Sequence, residues 1–207
     1  MSDLQCAARL LLVRHGEAEY ETEGLSDAGG SLSLTGRKQA RELADTLADA
    51  RVSMIYCSGL ARAVQTAEII AARLGAVVRV RDNLREWSVG EYAGQPYVEG
   101  MYDDVLGAWG AGDHDARIPG GESSNEIRDR IAAELEAIVD LHRGETVLVV
   151  THGGAIRVAV PQLAANVPDS YGTTHEVDHC AVIEADADAD GWVLRSWGGV
   201  PIGSGSG

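Results

Sequence analysis

Arg14, His15 and Gly16 stand together at the end of Leu10-Leu11-Leu12-Val13. A guanidinium offers a planar fork of donors that suits a phosphate or a carboxylate. A neutral imidazole offers a basic or nucleophilic nitrogen near physiological pH. Glycine lets backbone come close to a ligand. The four apolar residues before them read as a buried strand, and ligands of open α/β sheets bind just past the carboxyl ends of strands. The same pattern returns at Thr146–Thr151, an apolar run followed by His152-Gly153-Gly154. Arg62 and Glu86 add a second cation and a carboxylate from elsewhere in the chain. Taken singly, Arg62 also reads as a surface ion-pair partner, Glu86 as a solvated loop carboxylate and His152 as a satisfied core histidine.

The elements that must hold these residues alternate between strand and helix. Ser33 can cap a helix over about 34–50, with Ala40, Leu43, Ala44 and Leu47 on one face. Val52–Tyr56 reads as a short strand. Leu60–Leu74 reads as a helix ended by Gly75. Ala76–Val80 reads as a strand with one polar face. The stretch 82–121 lacks clean periodicity, and about 90–121 reads as a lid-like excursion with a short helix near 98–108. Tyr97, Tyr102 and Trp109 in it either line an aromatic pocket or only pack the lid. A long helix over about 123–142 carries Ile127, Ile131, Leu135, Ile138 and Leu141 as its apolar stripe. A further helix begins near Ala155, and Val177–Ala185 and Trp192–Trp197 read as a closing pair of strands. This order predicts an α/β fold, a three-layer α/β/α sandwich around a mostly parallel sheet. One domain over 1–202 is expected, with 203–207 as a flexible tail or an expression scar.

The totals narrow the partners. The chain has 207 residues, 45% of them hydrophobic, and a formal net charge of −15. Such a surface repels nucleic acid and anionic membrane. Lys38 is the only lysine, so a pocket for an anion must be built from Arg and His. Cys6, Cys57 and Cys180 form no disulfide or zinc pattern. No signal-peptide pattern and no membrane-length apolar run occurs, so a cytoplasmic protein is expected, with oligomeric state left open.

Two motifs look like other chemistry. Cys57-Ser58-Gly59-Leu60-Ala61-Arg62 is one residue short of the cysteine phosphatase loop, whose amides must encircle a phosphate. Cys57 is therefore read as an oxidisable strand-end residue near the pocket and not as a nucleophile. Asp186-Ala187-Asp188-Ala189-Asp190-Gly191 matches half of a calcium loop, but Trp197 occupies the twelfth position where a Glu is needed. It reads as a hairpin.

Several distant stretches then fit one pattern: Leu12-Val13-Arg14-His15-Gly16, Leu32-Ser33-x-x-Gly36-x-x-Gln39-Ala40, Ser58-x-Leu60-x-Arg62-Ala63-x-Gln65-Thr66-Ala67, Leu84-x-Glu86-x-x-x-Gly90, Gly120-Gly121-Glu122-Ser123, and Thr151-His152-Gly153. Together they resemble the histidine phosphatase superfamily, with its phosphoglycerate mutase-like fold, over about residues 9–197. The resemblance implies His15 as the nucleophile that becomes phosphohistidine. It implies Arg14 and Arg62 as clamps on the phosphoryl oxygens, and His152 as a further donor. It implies Glu86 as the acid that protonates the leaving oxygen and then as the base that activates water. Gly16 and Gly153 complete the phosphate-binding set. So does Glu21, which stands where the family commonly has an amide, while Ala18 stands where it has a hydroxyl. A carboxylate there must be protonated, swing away, pair with Arg14 or Arg62, meet a cation on the substrate, or sit in solvent in a shifted loop.

The expected activity is metal- and cofactor-free hydrolysis of a small phosphorylated metabolite, as by a histidine acid phosphatase-type phosphomonoesterase. The alternatives are a cofactor-dependent phosphoglycerate mutase and a non-catalytic phosphate-binding regulatory domain. The mutase resembles a longer chain with an Arg after the acid and added basic residues, whereas Trp87 follows Glu86 here and the lid carries Asp103, Asp104, Asp113 and Asp115. The regulatory reading fits loss of His15, Glu86 or His152, and all three are present.

Overall fold

The computed structural model describes residues 6–20 and 24–203. Its centre is β1 (Ala8–Arg14), β4 (Val52–Cys57), β5 (Val78–Val80) and β6 (Thr146–Thr151), all parallel, in the order β5-β4-β6-β1. The sheet continues from β1 through β7 (Val182–Asp188), β8 (Gly191–Trp197) and β9 (Val200–Pro201), each antiparallel to its neighbour. The remaining strands, β2 (Ala18–Glu19) and β3 (Ser31–Leu32), pair with each other beside the sheet.

The alternation of side chains along a strand explains how the continuous apolar runs build two cores. From β1, Leu11 and Val13 pack with Leu148 and Val150 of β6 under α1 (Leu34–Thr46) and α2 (Ala61–Leu74), touching Leu43 and Ile70. Leu10 and Leu12 pack with Val147 and Val149 on the other face, under α4 (Ser124–Leu141) and α5 (Gly153–Leu163). The stripe Ile127, Ile131, Leu135 and Ile138 of α4 is buried there, while Leu141 is exposed. Two short helices, α3 (Asp103–Gly110) and α6 (Tyr171–Thr174), lie in the connections.

Ser33 caps α1 as expected, and a cap not foreseen opens α4. Ser33 accepts from the Gly36 amide at 3.0 Å, and Ser123 forms a reciprocal capping box with Glu126. Gly75 takes the left-handed conformation that ends α2.

Three expectations need correction. Helix α3 starts at Asp103 and not near 98, because 98–102 is a turn anchored by Met101 N–H to Val98 O at 3.1 Å. Helix α1 ends at Thr46, short of 50. Val177–Ala181 is not strand: Arg14 draws this stretch into a loop, as its Nη1 donates to Val177 O at 2.7 Å and its carbonyl accepts from Cys180 N–H at 3.0 Å. The Asp186–Gly191 stretch is the β7–β8 hairpin, as its turn residues predict. Among the described residues, no helix is long and apolar enough to cross a membrane. Residues 204–207 of the tail lie outside the description.

Candidate active site

The parallel register places the chemistry. Val13 of β1 lies opposite Val150 of β6, and Val150 lies opposite Cys57 of β4. The residues just past these three strand ends are therefore neighbours. His15 N–H donates to Thr151 O at 3.0 Å, and Ser58 N–H donates to Val150 O at 3.1 Å. This brings Arg14-His15, Ser58 and His152 to one edge of the sheet from three distant parts of the chain.

His15 is 4% exposed, and its ring is held in one tautomer. Nδ1 lies 2.7 Å from Gly16 O, which can only accept, so the hydrogen-bond network assigns the proton to Nδ1. Nε2 keeps its lone pair and accepts from Arg62 Nε at 3.1 Å. Burial, together with the charges of Arg62 and Arg14 and the neighbouring His179, lowers the His15 pKa to about 3, against the Gly16 carbonyl that raises it. The imidazole thus stays neutral across the physiological range. Gly16 is fixed as well. Its N–H donates to Thr66 Oγ1 at 3.1 Å, and a Cβ there would lie 2.6 Å from Gly36 O.

Two buried nitrogens around His15 have no hydrogen-bond partner, Arg14 Nε and His152 Nδ1. Orphaned buried polar atoms are rare, and a pair of them beside one imidazole points to an anion-binding role. The His15 and His152 rings are 5.1 Å apart. Ser58 Oγ takes the Leu60 N–H at 3.4 Å and lies 2.7 Å from His152 Nε2. If Ser58 gives its hydroxyl proton to Nε2, His152 Nδ1 carries hydrogen and becomes a donor. Burial and the surrounding cations hold His152 well below the usual histidine pKa, which keeps it neutral. Arg62 is 5% exposed and also reaches Ala28 O from Nη1 at 3.2 Å.

Glu86 approaches from the opposite side. Its Oε1 accepts from Trp87 N–H at 3.0 Å and Ala155 N–H at 2.8 Å, and its Oε2 accepts from Gly154 N–H at 2.9 Å. The carboxyl therefore sits on the N-terminus of α5. A Cβ on Gly154 would lie 2.7 Å from Glu86 Oε1, so glycine is required for this approach. Burial raises the Glu86 pKa above the usual carboxylate range, against the three amides and the Arg62 charge that lower it. Oε2 has a single partner here and so retains a lone pair for a proton.

A cavity of about 240 Å³ joins these groups, with Arg14, His15, Arg62, Glu86 and Gly153 in its wall. The site residues expected at His15, Arg14, Arg62, Glu86, Gly16 and Gly153 thus lie at one place, with His152 against His15. Glu21 falls at 21–23, outside the described residues. Cys57 is buried at the end of β4, and burial pushes its thiol up to about 12, which disfavours the reactive thiolate. Trp109 is 4% exposed, donates from Nε1 to Ala116 O at 2.7 Å and packs the lid. Tyr97 and Tyr102 instead line a second cavity that adjoins the first. Among the described residues, no three His, Cys, Asp or Glu side chains group as metal ligands.

Several supporting residues were not legible as such. Thr66, Gln65 and Gln39 were visible only as motif letters; they hold Gly16, Leu32 and Glu17 N–H respectively. His179, with its ring centroid 5.8 Å from that of His15, carried no sequence signal. Glu122 was visible only within Gly120-Gly121-Glu122-Ser123. It accepts from Arg130 Nε and Nη2 at 2.7 and 3.0 Å and from Ser88 N–H at 3.1 Å. Arg130 also donates to Asn83 O and Arg85 O, so the pair brackets the segment that presents Glu86. Breaking a largely buried pair leaves a charge uncompensated, so Glu122→Gln is expected to destabilise the fold by roughly 3 kcal/mol, read by urea unfolding. A loss near zero would show that the pair does not fix this segment.

Comparison with known proteins gives the same pattern. The model of the histidine phosphatase superfamily (branch 1) matches residues 10–199. Phosphoglycerate mutase-like protein 4 of Arabidopsis thaliana is 35% identical over 203 residues, covering 93% of this chain and 86% of that one. A probable phosphoglycerate mutase of Salmonella choleraesuis is 29% identical over 197 residues, covering 91% and 89%. The solved structure of a mycobacterial glucosyl-3-phosphoglycerate phosphatase superposes with a TM-score of 0.74 at 26% identity, covering 93% of this chain and 99% of that one.

Proposed function

Because this chain belongs to the histidine phosphatase superfamily, we propose that it hydrolyses a small phosphate monoester through a phosphohistidine on His15. The observation that carries this reading is the His15 ring: proton fixed on Nδ1 by Gly16 O, and Nε2 turned to the Arg62 guanidinium. Nε2 attacks phosphorus, the bond from phosphorus to the alcohol oxygen breaks, and Glu86 gives that oxygen its proton. Water then attacks the phosphohistidine, Glu86 takes the water's proton, and inorganic phosphate leaves with Nε2 free again. Arg14, Arg62 and the His152 donor bear on the charge that spreads over the phosphoryl oxygens. The active residues form one catalytic domain over 1–202. The three free thiols fit a reducing compartment such as the cytoplasm.

Transfer of phosphate back to an alcohol, as in a mutase, is the second reading, favoured by the names of the Arabidopsis and Salmonella relatives. Against it stands Arg157, a further cation of the cavity wall. Its Nη1 donates to Glu176, and its Nε and Nη2 donate to Gly172 O and Thr173 O, which leaves no ready clamp for a substrate carboxylate. The deciding experiment is a screen of phosphate esters in which 3-phosphoglycerate is followed for both hydrolysis and isomerisation. Release of inorganic phosphate without isomer supports the hydrolase; isomer formed faster than phosphate overturns it.

Two further results are expected. Glu86→Gln should lower kcat/KM for an alkyl phosphate by about 10²-fold and for p-nitrophenyl phosphate far less, since a phenolate leaves without help. The acid form of Glu86 is the competent one and its pKa is raised, so wild-type activity on alkyl esters should fall as pH rises through that value. That alkaline limb should be missing from the variant, and equal losses on both esters would contradict the role. Chelation with EDTA should leave the rate unchanged, because arginine supplies the positive charge at phosphorus. Loss restored by Mg²⁺ or Zn²⁺ would contradict it.

A further inference from the structure

The second cavity, about 410 Å³, shares Tyr20, Arg62, Glu86 and Trp87 with the phosphate cavity and opens away from His15. It lies on the side of the general acid, where an ester's alcohol portion must sit if Glu86 is to protonate its oxygen. Its size is far more than a three-carbon acid needs.

Four aromatic rings face this space: Tyr20, Trp87, Tyr97 and Tyr102. Trp87 and Tyr102 are held by ring packing, at 6.1 Å from one another, with Tyr92 at 5.5 Å from Tyr102. Tyr20 and Tyr97 are 59% and 64% exposed, and the Arg62 guanidinium carbon lies 6.0 Å from the centre of the Tyr20 ring. The loop carrying Asp27 is tied to the lid by backbone pairing, as Leu25 N–H donates to Gln95 O and Gly94 N–H to Leu25 O, both at 2.8 Å.

Arg62 and Glu86 are committed to phosphate and proton. Asp27 is then the one remaining charged side chain among the described residues of the wall. Its carboxylate accepts from Val89 N–H at 2.7 Å and Ser88 Oγ at 2.8 Å, which fixes it in place without a cation. Aromatic faces with a fixed carboxylate attract a cation or a hydrogen-bond donor and repel an anion.

Resting on the hydrolase reading above, we propose that the substrate is the phosphate ester of a ring-bearing alcohol with no anionic substituent. The ring stacks on Tyr97 and Tyr20, and a hydroxyl or ammonium group of the alcohol donates to Asp27. Phosphoglycerates, whose carboxylate would meet Asp27, are disfavoured by the same geometry.

Three benzyl phosphates that share the same benzylic leaving oxygen and differ only at the para position test this: para-aminomethyl, para-hydroxymethyl and para-carboxy. The order of kcat/KM should be aminomethyl, hydroxymethyl, carboxy, with about tenfold between the ends from charge alone. Asp27→Asn should shrink that span to about twofold, since it keeps the shape and removes the charge. Tyr97→Ala should raise KM for all three esters. The inhibition constant of inorganic phosphate, whose cavity Asp27 and Tyr97 do not line, should stay unchanged in both variants and so reads whether the phosphate site survives. Turnover of all three at one rate, or a span that persists in Asp27→Asn, overturns the assignment of the alcohol and leaves the hydrolase reading standing. Turnover of none of them, with no phosphohistidine formed, overturns the hydrolase reading and this one with it.

Discussion

On the proposed mechanism, His15→Ala is expected to lower kcat/KM by about 10⁴-fold or more, because the variant would lose the group that bonds to phosphorus. The His15 Nδ1 is spent on Gly16 O, and its Nε2 faces the cavity beside Arg62. Arg14, Arg62 and His152 are untouched by the change, so the variant should still bind inorganic phosphate, and phosphate binding is the check that the fold survives. Cys57→Ser is the matched control. Its thiol is buried and stays protonated up to about 12, so its removal should leave most activity in place. Near-normal turnover in His15→Ala, or loss of turnover in Cys57→Ser, would transfer the chemistry to a different side chain.

Arg62→Ala is expected to cost about 10³-fold in kcat on alkyl and aryl esters alike, since it removes a fixed cation from where charge develops. The guanidinium makes two contacts, as Nε donates to His15 Nε2 and Nη1 to Ala28 O. Burial lowers the pKa of Arg62, although its ordinary value is so high that it stays charged in the working range. Arg62→Lys should recover little, because one ammonium cannot serve His15 Nε2 and Ala28 O together. A Lys variant within about threefold of wild type would show that charge alone, and not the planar fork, is what the site needs.

The parts of this arrangement that were legible in the sequence are the ones set by local pattern. Leu10–Val13 and Val147–Val150 had to be strands buried on both faces, and both ended in histidine and glycine. Ser33 and Gly75 marked helix ends by chemistry that is complete within one turn. The unreadable parts depend on contacts between distant segments. Val177–Ala181 looked like strand until Arg14 claimed its carbonyl groups. The β7–β8 hairpin was legible from its turn residues, but the pairing of β7 antiparallel to β1 was not, because it joins segments far apart in the chain. Tyr20 and Asp27 lie in a Gly-rich loop whose path is fixed by Gln95 and by Ser88, some sixty residues or more away. Trp109 and Tyr97 could not be told apart as aromatic residues of one lid, and only burial separates the packed ring from the exposed one.

The most direct measurement is mass spectrometry of the protein quenched during turnover of a phosphate ester. A single phosphoryl group should be found on the His15 peptide, stable in base and lost in acid, and absent from His15→Ala. A phosphoryl group on Cys57, Ser58 or any other residue, or turnover with no adduct under conditions where hydrolysis of the intermediate limits the rate, would contradict the phosphohistidine mechanism.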